Sequence, residues 1–195
     1  MTGMLTRYER LVAAGELRSD PDQRRAAERL DRLQKDLEGE SSGGLLSQLF
    51  RARKANPQGV YMWGGVGRGK SMLMDLFVET LGIDEKRRVH FHEFMLEVDR
   101  RIRERRESDP GDPTGKVARD IAEDVRCLAF DEMVVNNTAD AAIMARLFTA
   151  LIRDQGVTIV TTSNRPPRDL YKDGLNRSLF LPFIDLIEAD LDVVS

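Results

Sequence analysis

Apolar residues in the first 58 positions recur at the spacing of a helix face and are cut by turn residues, which predicts a region 1–58 built of helices. Helices are expected over 8–17 and, after the start signal Asp20-Pro21, over 22–37, where arginine and glutamate accompany leucine and alanine. Glu40-Ser41-Ser42-Gly43-Gly44 reads as a flexible connection, 45–54 as one further short helix, and Asn56-Pro57 as its stop.

From Gly59 the pattern changes. Short apolar runs at 59–63, 88–92, 126–130 and 157–162 alternate with helical stretches at 71–81, 94–107 and 139–153. Such alternation is the signature of βαβ units, so residues 59–195 are expected to form an α/β core with a central parallel sheet flanked by helices. Residues 108–115 carry two prolines and two glycines and read as a loop. An apolar segment, 179–187, precedes the strand-like Leu191-Asp192-Val193-Val194-Ser195.

With 195 residues, 41% of them hydrophobic, the chain can bury such a core and a small appendage. A net charge of −3 supports neither an acidic tail nor a nucleic-acid-coating surface. Locally the balance differs: 86–106 holds eight basic and four acidic residues, whereas 107–195 holds nine basic and sixteen acidic. Two readings are open, a head-to-tail attraction between copies and a solvated helix face. The single cysteine, Cys127, excludes an intramolecular disulfide. No apolar run approaches the roughly 20 residues that span a bilayer, and the N-terminus lacks the apolar core of a secretory signal, so a soluble intracellular protein is expected.

Chemistry enters at Gly64-Gly65-Val66-Gly67-Arg68-Gly69-Lys70-Ser71, which fits G-x-x-x-x-G-K-[ST], follows an expected strand and opens the expected helix 71–81. Glycines let successive N–H groups approach phosphate oxygens at a helix N-terminus, where the dipole already favours negative charge. The cradle is therefore expected to use Gly64, Gly65, Val66, Gly67, Arg68, Gly69, Lys70, Ser71 and Met72, with the Lys70 ammonium on the β- and γ-phosphates and the Ser71 hydroxyl on Mg²⁺. Sixty residues after Ser71, the apolar run Cys127-Leu128-Ala129-Phe130 ends in Asp131-Glu132. Asp131 suits a Mg²⁺ role and Glu132 a general base for water, although such a pair also marks an ordinary strand exit. Cys127 is then a buried strand residue rather than a nucleophile.

Asn164 follows the apolar run 157–162 and is expected either to position the attacking water or to serve a turn. Arg177, before the segment 179–187, reads as an arginine supplied to a neighbouring subunit's phosphoryl group or as a surface ion pair. His90 and His92 alternate on an expected strand and share one face, which suits packing or hydrogen bonding better than metal ligation without a third ligand.

Several strings make the resemblance specific. The loop at 64–71 with Met72-Leu73-Met74-Asp75-Leu76-Phe77, then Arg88-Val89-His90-Phe91-His92-Glu93-Phe94-Met95, then Thr162-Ser163-Asn164-Arg165-Pro166-Pro167 with Asp169-Leu170-Tyr171, resembles the ZapE cell-division ATPases and their mitochondrial AFG-one-like relatives, from about residue 8 to 194. The resemblance implies an AAA+ P-loop NTPase module in which residues 64–71 are Walker A, Asp131 and Glu132 Walker B, Asn164 the first sensor and Arg177 the arginine finger. It further implies ATP and Mg²⁺ as ligands, a cytoplasmic oligomer, and a bacterial role at the division ring, destabilising FtsZ polymers. The family continues past the 190–194 strand into a helical lid, so the C-terminal lid is expected to be missing from this chain. After Walker B the family reads Phe-Gln-Val-Thr-Asp-Ile-Ala-Asp, where this chain has Met133-Val134-Val135-Asn136-Asn137-Thr138-Ala139-Asp140. Two other readings stay open: a nucleotide-dependent scaffold with little or no turnover, favoured by that altered flank, and a DNA-associated loader, motivated by the basic 86–106 segment and disfavoured by its few aromatics.

Overall fold

The apolar runs of the core become strands because their side chains alternate between two faces that helices cover on both sides. A computed structural model describes residues 3–41, 57–67, 69–108, 111–135 and 138–195. Among them the strands are β1 (Gly59–Trp63), β2 (Lys86–His90), β3 (Cys127–Asp131), β4 (Thr158–Ser163) and β5 (Leu191–Val194). All pair in parallel, in the order β2-β3-β4-β1-β5. β3 and β4 are buried at every position.

The helices are α1 (Met4–Ala13), α2 (Pro21–Ser41), α3 (Lys70–Thr80), α4 (Phe91–Ser108), α5 (Pro113–Asp124), α6 (Thr138–Thr149) and α7 (Leu181–Asp190). On one face Val60, Met62, Cys127, Ala129 and Val160 pack with residues of α1, α2 and α3. On the other, Tyr61, Leu128, Phe130 and Ile159 pack with α4, α5, α6 and α7. There Phe91, Phe94, Phe130, Phe148 and Phe183 form a chain of ring contacts with centroids 4.8–6.4 Å apart, a range in which edge-to-face pairs add to the energy of burial. The chain leaves β1 for the far edge at β2 and returns through β3 and β4 before reaching β5 on β1's other side. The crossovers thus reverse direction around β1, and ligands of open α/β sheets bind outside the strand ends at such a reversal.

α1 and α2 share one of these clusters with the core. Gln34 of α2 donates to Thr80 O at 2.8 Å and accepts from Met4 N at 2.9 Å. Arg29, almost wholly buried, donates from Nε to Asp192 at 2.5 Å and from its terminal nitrogen to Gln58 O at 2.6 Å, so α2 is bound to both β5 and the entry to β1.

Several expected boundaries move. The first helix occupies Met4–Ala13 rather than 8–17, and α2 runs on through Gly39 and Glu40 to Ser41, where a connection was expected. The expected helix 45–54 lies outside the described residues. β2 stops at His90, so His92 belongs to α4 and the two histidines share no strand face. The expected loop 108–115 ends in the start of α5: Asp112 accepts from Gly115 N at 3.0 Å with Pro113 in the first turn, which makes Asp-Pro a helix cap rather than a break. A Cβ on Gly115 would lie 2.5 Å from Asp112 Oδ2, so a larger residue there requires the capping carboxylate to turn. The last turn of the expected helix 139–153 is a π turn, Ala150–Asp154. The segment 179–187 enters α7 through a 3₁₀ turn, Arg177–Leu179. No helix among the described residues is long and apolar enough to cross a membrane.

Candidate functional site

The carboxyl ends of β1, β3 and β4 are tied together by a small set of hydrogen bonds, and the candidate residues leave from those ends. Gly64 N donates to Ser163 O (3.2 Å), Met133 N to Thr162 O (2.8 Å), and Ser163 Oγ to Met133 O (3.2 Å). Tyr61 OH donates to Arg165 O at 2.8 Å, and burial pushes this phenol above its ordinary value. The three exits therefore cannot slide independently, which is the rigidity a catalytic constellation needs.

After β1 the loop turns back on itself at Gly67 and Gly69, both with φ +78°, and Gly69 is the residue from which α3 springs. Lys70 Nζ donates to Gly64 O (2.7 Å), Gly65 O (2.9 Å) and Asn164 Oδ1 (3.0 Å). The ammonium thus bridges the loop and the end of β4. Glu132, just past β3, sits at φ +54°, a conformation that costs a non-glycine residue about 1–3 kcal/mol. Its backbone N–H donates to Thr162 Oγ1 at 3.0 Å, a contact that helps hold the turn and leaves the carboxylate exposed.

These residues line two adjoining clefts. One, of about 320 Å³, brings together Val66, Gly67, Gly69, Lys70, Ser71, Met72, Glu132, Thr162, Ser163 and Asn164. The second, of about 440 Å³, is lined by Ser71, Arg88, Val89, His90, Glu93, Asp131 and Glu132. Ser71 and Glu132 face both. Of the expected cradle, Arg68 lies outside the described residues, while Gly64 and Gly65 enter through the carbonyls that receive Lys70. Arg177 lines neither cleft; its guanidinium donates to Arg168 O at 2.5 Å. Cys127 is buried, and burial pushes its thiol up to about 12, far from a reactive thiolate.

Arg88 is the residue that sequence reasoning passed over. Its Nε and one terminal nitrogen donate to the two oxygens of Asp131, at 2.7 and 3.2 Å, and its other terminal nitrogen pairs with Asp75 on α3. The hydrogen bond to Asp131, ahead of the Asp75 contact, raises the guanidinium above its ordinary value against a smaller opposing cost of burial. In the chain Arg88 is one member of a basic segment, and only the register that sets β2 beside β3 reveals its partner. Five more arginines of that segment are paired: Arg87 and Arg101 with Glu97, Arg100 with Glu104, Arg103 with Asp99, and Arg105 with Asp120 on α5.

The donor set suits a hard cation beside phosphate. Ser71 offers a hydroxyl and Asp131 a carboxylate of which only 10% is exposed, both oxygen ligands of the kind Mg²⁺ takes. Lys70 supplies positive charge at the helix start, and Glu132 is an exposed carboxylate able to accept a proton from water.

The chain is similar to known proteins in sequence and in fold. A protein-family model described as AFG1-like ATPase matches residues 2–195. The chain is 36% identical over 202 residues to cell division protein ZapE of Escherichia coli K12, covering 97% of this chain and 53% of that protein. It is 36% identical over 242 residues to lactation elevated protein 1 homolog B of Danio rerio, covering 98% and 48% respectively. The chain spans about half the length of the curated relatives it matches. Solved structures of similar fold include DnaI, with a TM-score of 0.59 at 14% identity over 91% of this chain and 86% of that one. AMPPCP-bound DnaA from Aquifex aeolicus gives 0.58 at 14% identity over 92% and 48%.

Proposed function

The chain belongs to the AFG1-like ATPase family and has a P-loop NTPase fold of the AAA+ kind, and from that premise we propose that residues 64–72 bind ATP with Mg²⁺ and that the chain hydrolyses it to ADP and phosphate. The observation that carries the proposal is the convergence of Lys70, Ser71, Glu132 and Asn164 on one cleft at the ends of β1, β3 and β4.

Lys70 neutralises the β- and γ-phosphates, exchanging its contacts to Gly64 O and Gly65 O for phosphate oxygens. Ser71 and Asp131 hold Mg²⁺, which supplies charge neutralisation on the phosphates. Glu132 orients a water and accepts its proton, and Asn164, linked to Lys70, holds the far side of the reacting group. Arg177, outside both clefts, acts on the site of a second copy in a homo-oligomer.

The likeness to ZapE supports a further step: action in the cytoplasm at the bacterial division ring, destabilising FtsZ polymers in an ATP-dependent way. Phosphate release and fluorescent-nucleotide binding test the enzymatic part. Lys70→Ala should abolish binding, whereas Glu132→Gln should keep binding and lose turnover by about 100- to 10,000-fold. Turnover that survives both substitutions would sink the reading. FtsZ sedimentation with ATP, compared with a non-hydrolysable analogue, tests the partner: polymer loss in both or in neither would remove hydrolysis-driven destabilisation.

A further inference from the structure

Asp131 is the carboxylate to which the proposed function assigns Mg²⁺, and it is already the better-buried half of an ion pair. Its side chain is 10% exposed, that of Arg88 30% and that of Asp75 49%. Both Asp131 oxygens accept from Arg88 in a forked contact, which is among the stronger hydrogen-bonded geometries available to a carboxylate. A divalent cation approaching the same oxygens meets a guanidinium that cannot deprotonate and that repels it across a short distance. Inner-sphere ligation therefore requires Arg88 to give up Asp131.

The second carboxylate shows where the guanidinium goes. Arg88 already touches Asp75, on the first helix after the phosphate loop and four residues past Ser71. A guanidinium leaving Asp131 keeps an anionic partner and avoids the cost of a desolvated, unpaired charge. The cleft beside it, about 440 Å³ and lined by Ser71, His90, Glu93 and Glu132, gives the side chain room to shift.

We propose that Arg88 is a positioning residue that competes with Mg²⁺ for Asp131 and passes to Asp75 when the metal binds, so that it sets the Mg²⁺ concentration at which the nucleotide site becomes competent. The inference rests on the assignment of Mg²⁺ to Asp131 made above. Arg88 makes Mg²⁺ binding at this site weaker than the Ser71–Asp131 pair alone would give. Its removal therefore strengthens metal binding, the opposite of what losing a purely structural support for Asp131 would do.

The test uses the whole chain and two readouts independent of turnover: Mn²⁺ binding followed by electron paramagnetic resonance, and the Mg²⁺ dependence of fluorescent ATP-analogue affinity. Arg88→Gln, which keeps a polar side chain and removes the charge, and Arg88→Ala should each lower the half-saturating Mg²⁺ concentration about tenfold. Arg88→Lys, a charge without the fork, should fall between them and wild type. Asp75→Asn should raise the requirement, because the guanidinium loses its alternative partner. Melting in the absence of nucleotide identifies any variant that fails to fold, and the Gln variant then stands for the Ala one. An unchanged or higher Mg²⁺ requirement in a folded Arg88→Gln would overturn the inference and leave the ATP site intact. Failure of the wild type to bind nucleotide at any Mg²⁺ concentration would take down the functional reading and this inference together.

Discussion

At Gly69 the phosphate loop depends on a single missing atom. Its φ of +78° lies where a side chain is strained, and a Cβ there would stand 3.0 Å from Gln23 Nε2 and 3.4 Å from Met72 Cε. Gln23 and Met72 belong to different helices, so the residue that starts α3 is also the point at which α2 meets the loop. Gly69→Ala should cost about 1–2 kcal/mol of stability from the left-handed backbone alone. It should also weaken nucleotide affinity more than tenfold, because relaxing the left-handed backbone shifts the loop. Denaturant unfolding and nucleotide titration read the two effects separately, and an alanine variant with native affinity would show that the loop tolerates a Cβ.

Among elements, the β2–α4 junction shows how charge supports a fold without making a ligand surface. Glu97 on α4 accepts from Arg87 on β2 and pairs with Arg101 on its own helix. The Arg87 hydrogen bond, followed by the charges of its arginine neighbours, outweighs burial and holds the Glu97 carboxyl below its ordinary 4.5. A carboxyl depressed in the folded state stabilises fully above its unfolded value, and that contribution is lost as pH falls through the lower folded value. Glu97→Gln should therefore lower stability at pH 7 by about 1–2 kcal/mol. In a melt that is a few degrees, and the gap should close as the pH drops well below 4.5. A gap of constant size across the titration would mean that the lost contribution is packing, not charge.

On the scale of the whole molecule, the helices ahead of the core act as part of its wall. Leu30, Leu33 and Leu37 of α2 and Met4 and Tyr8 of α1 are buried in the same cluster as Val60, Met62, Leu73 and Phe77. Each large apolar residue lost from such a cluster costs about 2–5 kcal/mol. Removing residues 1–41 should accordingly lower Tm by more than about 10 °C or leave the remainder insoluble. A truncated chain that melts where the full chain does would show instead that the core covers that face unaided. The ion pairs along α4 belong to this scale too. Together with the Arg87–Glu97 pair they engage five of the arginines that made 86–106 look like a nucleic-acid surface, which weighs against the DNA-loader reading.

Short continuous apolar runs made the strands legible, because β1, β3 and β4 are buried on both faces and so read as unbroken hydrophobic stretches. The edge strand β2, Lys-Arg-Arg-Val-His, has no such run, and its boundaries were misplaced by two residues. α5 was hidden for another reason: its Asp-Pro start and its Gly115 imitate loop punctuation until the cap geometry is seen. The phosphate loop declared itself by spacing, since every residue type in it serves a backbone requirement local to eight positions. Arg88 gave no local signal. A guanidinium acquires meaning from the carboxylates it meets, and Asp75 and Asp131 lie 13 and 43 residues away. The sequence by itself determined the strand-and-helix alternation and the phosphate loop, because both follow from short-range periodicity and backbone freedom. Only the tertiary structure decided which charge faces which, because strand register and crossover, not spacing along the chain, place β2 beside β3 and α3.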